Sequence, residues 1–432
     1  MPYACAMTAS DASVPGLSRQ QIKTLALASL GGALEFYDFV VFVFFATTMG
    51  ALFFPADMPQ WLKLVQAFGI FAAGYLARPL GGLLMAHFGD LSGRKRMFML
   101  SILLMAVPTL LMGLLPTYAQ IGMAAPLLLL LLRILQGAAI GGEAPGAWVF
   151  VSEHVSKRHR NLACGSLSLG LLAGILLGSL VARAVNAAFD EAQLLAWGWR
   201  IPFVAGGVFG LLAMVLRRQL HETPVFAELQ QRRALSAETP LKAVVRDHAG
   251  AVALGMLLTW LLTAAVVVTI LMMPTFLQGM GVSRDAALAG NALAVLAAMA
   301  ANLVAGALAD RYGAGRVLAL WSLLLGIAFW WFYREAQAGA YSQWHYAIAG
   351  SAVGLTAMIP AIALGGFPAP VRFSGLSFAY NLAYAIAGGL TPVLLSLAMK
   401  NNPDAPMQYI AGMAVLGVGL GIFVESRSRH PL

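Results

Sequence analysis

Glu35 and Asp38 are the residues of this chain best suited to carrying a proton. They interrupt a run from Thr24 to Pro55 that holds no other charge and is long enough to cross a bilayer. An ionised group at bilayer depth costs roughly 2.5–3.5 kcal/mol on the lenient insertion scales, so acids found there face a cavity or a partner. Spaced i, i+3, the two carboxylates share one helix face, and one water-filled cavity or one cation can serve both. Proton coupling is the functional expectation, with Tyr37 between them as a substrate contact. A structural pair tied to a neighbouring arginine is the competing one.

Arg133 and Glu143 pose the same question in a second apolar run. With Gln136, Gly137 and Ile140 they follow spacings that place them on roughly one helix face. Ten residues separate the two charges, about 15 Å along the axis. An arginine can clamp a carboxylate through two parallel N–H bonds and does not deprotonate, whereas Glu35 or Asp38 can exchange a proton. Arg78, just before Pro79, is the other cation inside a span, with snorkelling to the nearer surface as its alternative. The second half holds no charge inside its expected spans. Its polar candidates are Trp260, Asn291, Asn302, Tyr380, Asn381 and Tyr384, for which interhelical bonding is the competing role.

The elements that must position these groups are membrane helices. Of the 432 residues 60% are hydrophobic and only 10% charged, where a soluble domain carries about 25% charged. Apolar runs of spanning length can be drawn twelve times, at 24–54, 64–86, 97–115, 121–153, 162–185, 200–220, 249–277, 285–309, 317–333, 344–366, 375–399 and 408–424. With both termini cytoplasmic, most of the 27 Lys and Arg fall in cytoplasmic segments, and Arg94-Lys95-Arg96 and Lys157-Arg158 are the densest clusters. The net charge of +9 then reflects the positive-inside rule and not nucleic-acid binding. The tail 1–23 and the segment 221–248 read as cytoplasmic, the latter linking bundles 24–220 and 249–424; 425–432 is a short tail. Cys5 and Cys164 have no disulfide or metal spacing, and His154, His159 and His248 have no ligand spacing, so no metal or cofactor is expected.

A repeat supports the division. Asp90, Gly93 and Arg96 in one loop recur as Asp310, Gly313 and Arg316 in another, 220 residues later and at the same place in each half. The two loops resemble the signature loop of the Major Facilitator Superfamily, and Arg133-Ile-Leu-Gln136-Gly137 resembles that superfamily's fourth-helix arginine motif. Further stretches are similar to its metabolite:proton symporter family: ALEFYDF, RILQGAAIGGEAPGA, WGWRIPF, LHETPVFAEL and FPAPVRFSGLSFAYNLAYAIAGG. The first loop departs from the pattern at Ala86 and Leu91, the second at Ala314.

The resemblance implies an all-α fold of twelve transmembrane helices in two pseudo-symmetric six-helix bundles around a central site. It implies that the first-helix acid and Arg133 face one cavity. It also implies a cytoplasmic gate that forms and breaks as the site changes sides, for which Asp90, Gly93, Arg94, Glu153, Asp310, Arg311 and Arg316 are the candidates. The expected function is proton-driven uptake of a small polar metabolite across a bacterial inner membrane by a monomer, powered by the proton gradient alone. A di- or tricarboxylate is the first substrate expectation, because buried arginines are the natural anchors. A zwitterionic osmolyte such as betaine or proline is the alternative, and export is a third. Substrate contacts are expected at Arg133, Gln136, Arg78, Tyr37, Glu143, Trp260, Asn381 and Tyr384. An enzyme is not expected, since no nucleophile or metal cluster stands out.

Overall fold

The computed structural model describes residues 19–92, 94–141, 143–155, 157–218, 244, 246–368 and 371–429. Without water to satisfy backbone groups, a chain this apolar must close its hydrogen bonds within each segment, and it does so as helices. Span 1 is Arg19–Phe44 continued by Ala46–Phe53, with a bend of 61° at Phe45. Spans 2 and 3 are Gln60–Ser92 and Arg94–Leu114. The long fourth run is broken at Gly141 into Ala124–Ile140 and Glu143–His154. Span 5 is Arg160–Ala188 and span 6 is Arg200–Arg218. Spans 7 to 10 are Ala249–Gly279, Arg284–Tyr312, Ala314–Gln337 and Gln343–Gly365. Span 11 comprises Arg372–Ala383, Tyr384–Gly388 and Gly389–Ala398, and span 12 is Ala405–Arg429. Each overlays one expected run.

The architecture is that of a multi-pass membrane protein with six helices in each of two bundles. Leu127, Leu131, Ile327, Trp330, Val415 and Ile422 are exposed on its outside, an apolar girdle suited to lipid. Inside, small residues set the helix spacing. A Cβ at Gly137 of span 4 would stand 1.8 Å from the Gly74 carbonyl of span 2, and one at Gly81 would stand 2.0 Å from that of Ala138. The ladder Gly170 and Gly174 of span 5 packs likewise on Ser29 and Ala33 of span 1. Gly137→Ala is therefore expected to cost at least about 1–3 kcal/mol, because backbone and not a side chain must move. A lower thermal midpoint of the purified protein in detergent would show it; an unchanged midpoint would mean that the two helices can part freely.

The bundles meet along span 5 against span 8 and span 2 against span 11. Gly165 lies on the Asn302 carbonyl, Gly306 on that of Asn161, and Gly389 on that of Ala72. Span 11 makes a π-helical turn at Tyr384–Gly388, and span 7 a longer one at Ala264–Met272. Such turns rotate side chains out of the regular helical register. Ahead of span 7, Arg246 bonds Asp247 at 2.7 Å and holds its carboxyl below the ordinary carboxylate range. Both side chains are largely exposed, so the pair adds little to stability.

Candidate functional site

Between the bundles lies a cavity of about 30 Å³, room for roughly two waters. Its wall is aromatic on one side, with Phe36, Trp148, Tyr380 and Tyr384, and carries the hydroxyl-bearing Ser168 and Thr356 on another. Trp148 stands edge-on to Tyr380 at 5.1 Å, Tyr380 meets Tyr384 at 4.7 Å, and Tyr384 stacks on Tyr75 of the other bundle at 5.3 Å. Among the described residues the indole Nε1 of Trp148 is buried without a hydrogen-bond partner.

Behind this wall are the two expected arginines, both buried. The Arg78 guanidinium lies 4.6 Å from the Tyr75 ring centre, 4.9 Å from Tyr384 and 5.0 Å from Phe39. The Arg133 guanidinium lies 4.4 Å from Phe39, 4.8 Å from Phe42 and 5.2 Å from Phe71. Ring faces are negative, so a desolvated cation is stabilised there by about 2 kcal/mol or more. Arg133 also donates to the Phe39 carbonyl from both terminal nitrogens, at 3.3 Å each, and to Gln136 Oε1. Among the described residues neither guanidinium has a carboxylate partner.

Several expected contacts are placed elsewhere. The Asp38 carboxyl is buried but faces span 6, with Oδ1 unpartnered among the described residues. Tyr37 turns the same way and donates to the Pro202 carbonyl at 2.9 Å. Trp260 is a correction: its ring is on the outer surface, where Nε1 donates to the Tyr409 hydroxyl at 2.8 Å. Asn381 donates to the Gly141 carbonyl and to Ser377, tying span 11 to the break in span 4. Asn291 and Asn302 bond within the second bundle, to Ile270 and Tyr346 and to Thr356. Gln136 lies beside Arg133 as expected, and Tyr384 lines the cavity. The side chains of Glu35, Asp90, Arg94, Glu143 and Glu153, and all of Gly93, lie outside the described residues.

Contacts between the bundles also stand at each end of span 8. At the end holding the second repeat loop, Asp310 accepts hydrogen bonds from the Asn161 and Leu162 backbone N–H groups and from Asn161 Nδ2, at 2.9–3.0 Å. These are free donors of the first turn of span 5, where the helix dipole also favours an anion. Arg311 and Arg316 make other contacts among the described residues. Arg311 lies over the neighbouring Tyr312 ring, and Arg316 pairs with Glu425 at 2.8 Å, within one bundle. At the opposite end Asp285 pairs with Arg183 at 2.8 Å, and Arg284 donates to Thr48 at 3.1 Å beside the bend of span 1.

The chain is 32% identical to the proline/betaine transporter of Salmonella typhimurium over 430 residues, covering 95% of this chain and 84% of that protein. It is 31% identical to the citrate-proton symporter of Klebsiella pneumoniae over 444 residues, 99% and 98% of the two. The crystal structure of a D-xylose-proton symporter superposes with a TM-score of 0.73 at 17% identity, over 93% of this chain and 97% of that one, a likeness of fold. The family model of the Major Facilitator Superfamily matches residues 28–392. Twelve helices in two bundles, closed around an aromatic and arginine-backed cavity, thus accompany a match that spans most of the sequence, and the chain belongs to the Major Facilitator Superfamily, a family of transporters and not of enzymes.

Proposed function

We propose that the protein is a proton-coupled symporter that takes up a small zwitterion of the betaine or proline kind by alternating access. The observation that carries this reading is the aromatic wall of Phe36, Trp148, Tyr380 and Tyr384. A substituted ammonium binds ring faces without needing a carboxylate. The unpartnered Trp148 Nε1 supplies a donor for the substrate's own carboxylate. Similarity to proline/betaine transporters at 32% identity agrees with it. In this scheme the bacterial inner membrane holds the protein as a monomer with both termini and the 221–248 linker in the cytoplasm. Asp310 then belongs to the cytoplasmic gate and Arg284 to the outer one, and Asp38 or Glu35 carries the proton.

A carboxylate substrate remains the second reading. Two buried arginines without carboxylate partners among the described residues favour it, as does the similarity to a citrate-proton symporter.

Reconstituted vesicles offered glycine betaine, proline and citrate in turn, with internal pH recorded, separate the two. Proton entry with betaine or proline supports the zwitterion, entry with citrate alone supports the second reading, and silence with all three sinks uptake by symport. Trp148→Ala is expected to weaken betaine transport by about 30-fold, the equivalent of about 2 kcal/mol. Trp148→Phe, which keeps a ring, should lose far less. Equal losses in both variants would remove the ammonium site from this wall.

A further inference from the structure

We propose that Arg78 sets the charge selectivity of the cavity: it keeps simple cations off the aromatic wall and so makes the site demand a zwitterion. The proposal rests on the zwitterion reading above, and it gives Arg78 a part other than that of an anion clamp.

The wall by itself does not tell a betaine from any other substituted ammonium. Ring faces attract a quaternary ammonium whether or not the same molecule carries a carboxylate. A fixed charge within reach of the rings separates the two, and Arg78 is that charge. Its side chain, on span 2, is 1% exposed, so it does not snorkel to the surface. The guanidinium lies 4.9 Å from the centre of Tyr384, a ring of span 11 that also lines the cavity. Tyr75 completes the contact, stacking on Tyr384 at 5.3 Å with the guanidinium 4.6 Å from its own centre. Tyr384 thus has the cavity and a fixed cation beside it. Arginine does not deprotonate in proteins, so the charge is present in every state of the carrier.

The size of the effect follows from the geometry. An ammonium held by Tyr384 stands within about 6 Å of the ring centre, hence within about 11 Å of the Arg78 guanidinium. At an effective dielectric constant of about 20, two unit charges at that distance repel enough to weaken binding by about tenfold. Arg133 adds a second charge of the same sign, since it shares the Phe39 ring with Arg78, at 4.4 and 5.0 Å respectively. Among the described residues neither is paired with a carboxylate. A zwitterion escapes this penalty. Its carboxylate, joined to the ammonium through a single carbon in betaine and in proline, is attracted by the field that repels the ammonium. The two effects oppose each other in a molecule of no net charge, and the Trp148 indole N–H is a donor for the carboxylate. A bare anion meets the reverse condition, attracted by the guanidinium groups and repelled by the ring faces.

Equilibrium dialysis of the purified full-length protein against labelled glycine betaine and labelled choline tests the assignment. Choline keeps the trimethylammonium group and lacks the carboxylate. In the wild type it is expected to bind at least about tenfold more weakly than betaine. In Arg78→Gln choline should bind about tenfold more tightly than it does to the wild type, and the preference for betaine should shrink accordingly. Arg78→Lys, which keeps the charge, should still exclude choline. Where glutamine unfolds the protein, Arg78→Met, an adaptable apolar chain suited to a nest of rings, gives the same comparison. A tighter hold on the excluded ligand is not what loss of a structural contact produces. A wild-type protein that binds choline as tightly as betaine would overturn the proposal without any variant. So would choline binding that is unchanged or lost in monodisperse Arg78→Gln. A wild-type protein that binds citrate and neither ammonium compound would instead overturn the zwitterion reading, and the role of Arg78 with it.

Discussion

Arg133→Lys is expected to reduce betaine uptake by about a hundredfold or more while the protein remains folded. The wild-type guanidinium makes two bonds to the Phe39 carbonyl and one to Gln136, and lies against three rings. A lysine keeps the charge, which avoids an uncompensated change in the cavity's electrostatics. Its ammonium cannot reach the carbonyl with two nitrogens, nor stack a plane on Phe39. Losing about two charge-assisted bonds, each worth about 1.5–3 kcal/mol, sets the scale. Initial uptake rates at matched reconstitution, with a thermal melt as the folding control, would check it. Uptake within about threefold of wild type would mean that any cation suffices at this position and that the planar geometry has no role.

This expectation was accessible from the sequence because Arg133 and Gln136 are one helical turn apart inside an apolar run. The same periodicity did not tell where Asp38 points. A shared helix face fixes direction relative to the helix axis, not the neighbour that packs there, and Gly206 and Gly210, which face the carboxyl, lie 168 or more positions away in sequence. Tyr380 and Tyr384 of the aromatic wall were legible as polar residues in a span, but Phe36 and Trp148 were hidden for a related reason. In an apolar span a cavity-lining ring and a lipid-facing ring read alike, yet Trp148 is 1% exposed and Trp330 is 51% exposed. Glycine spacing was more informative, since only a close helix crossing gives Gly170 and Gly174 a common purpose. The partner of Arg316, Glu425, was not legible because it sits at the end of the last span, beyond the reach of a loop motif.

The contacts at the two ends also constrain how the cavity works. The space lined by the described residues, about 30 Å³, is too little for a betaine, so this is a form in which the bundles stand close together. A symporter must pass through such a form to return without substrate, and the Tyr75–Tyr384 stack and Arg78 fill the space between the bundles when it does. Substrate entry then requires one end to part. Exposed pairs such as Arg183–Asp285 contribute about 0.2–1 kcal/mol each, which favours reversible parting at that end.

Asp310 is the stronger of these contacts, and its loss has a native reporter. Asp310→Asn removes the charge facing the first turn of span 5 and leaves one amide oxygen to replace two carboxylate oxygens. Charge at a helix N-terminus contributes up to about 2 kcal/mol, so the open fraction at this end should rise by about 30-fold. Cys164 lies in the first turns of span 5 and is fully buried. In a Cys5→Ser background it becomes the single thiol for a maleimide to label. Faster labelling of Asp310→Asn, reversed by a substrate that recloses the bundles, is the expected result. The substitution should also lower gradient-driven accumulation, because an end that stays open lets the loaded site leak backwards. Unchanged labelling would place Asp310 as a fixed loop cap and move the gate to the residues of the first repeat loop, Asp90 and Arg94. Labelling that rises equally in Arg316→Gln, which breaks a contact inside one bundle, would point instead to a general loosening of that end.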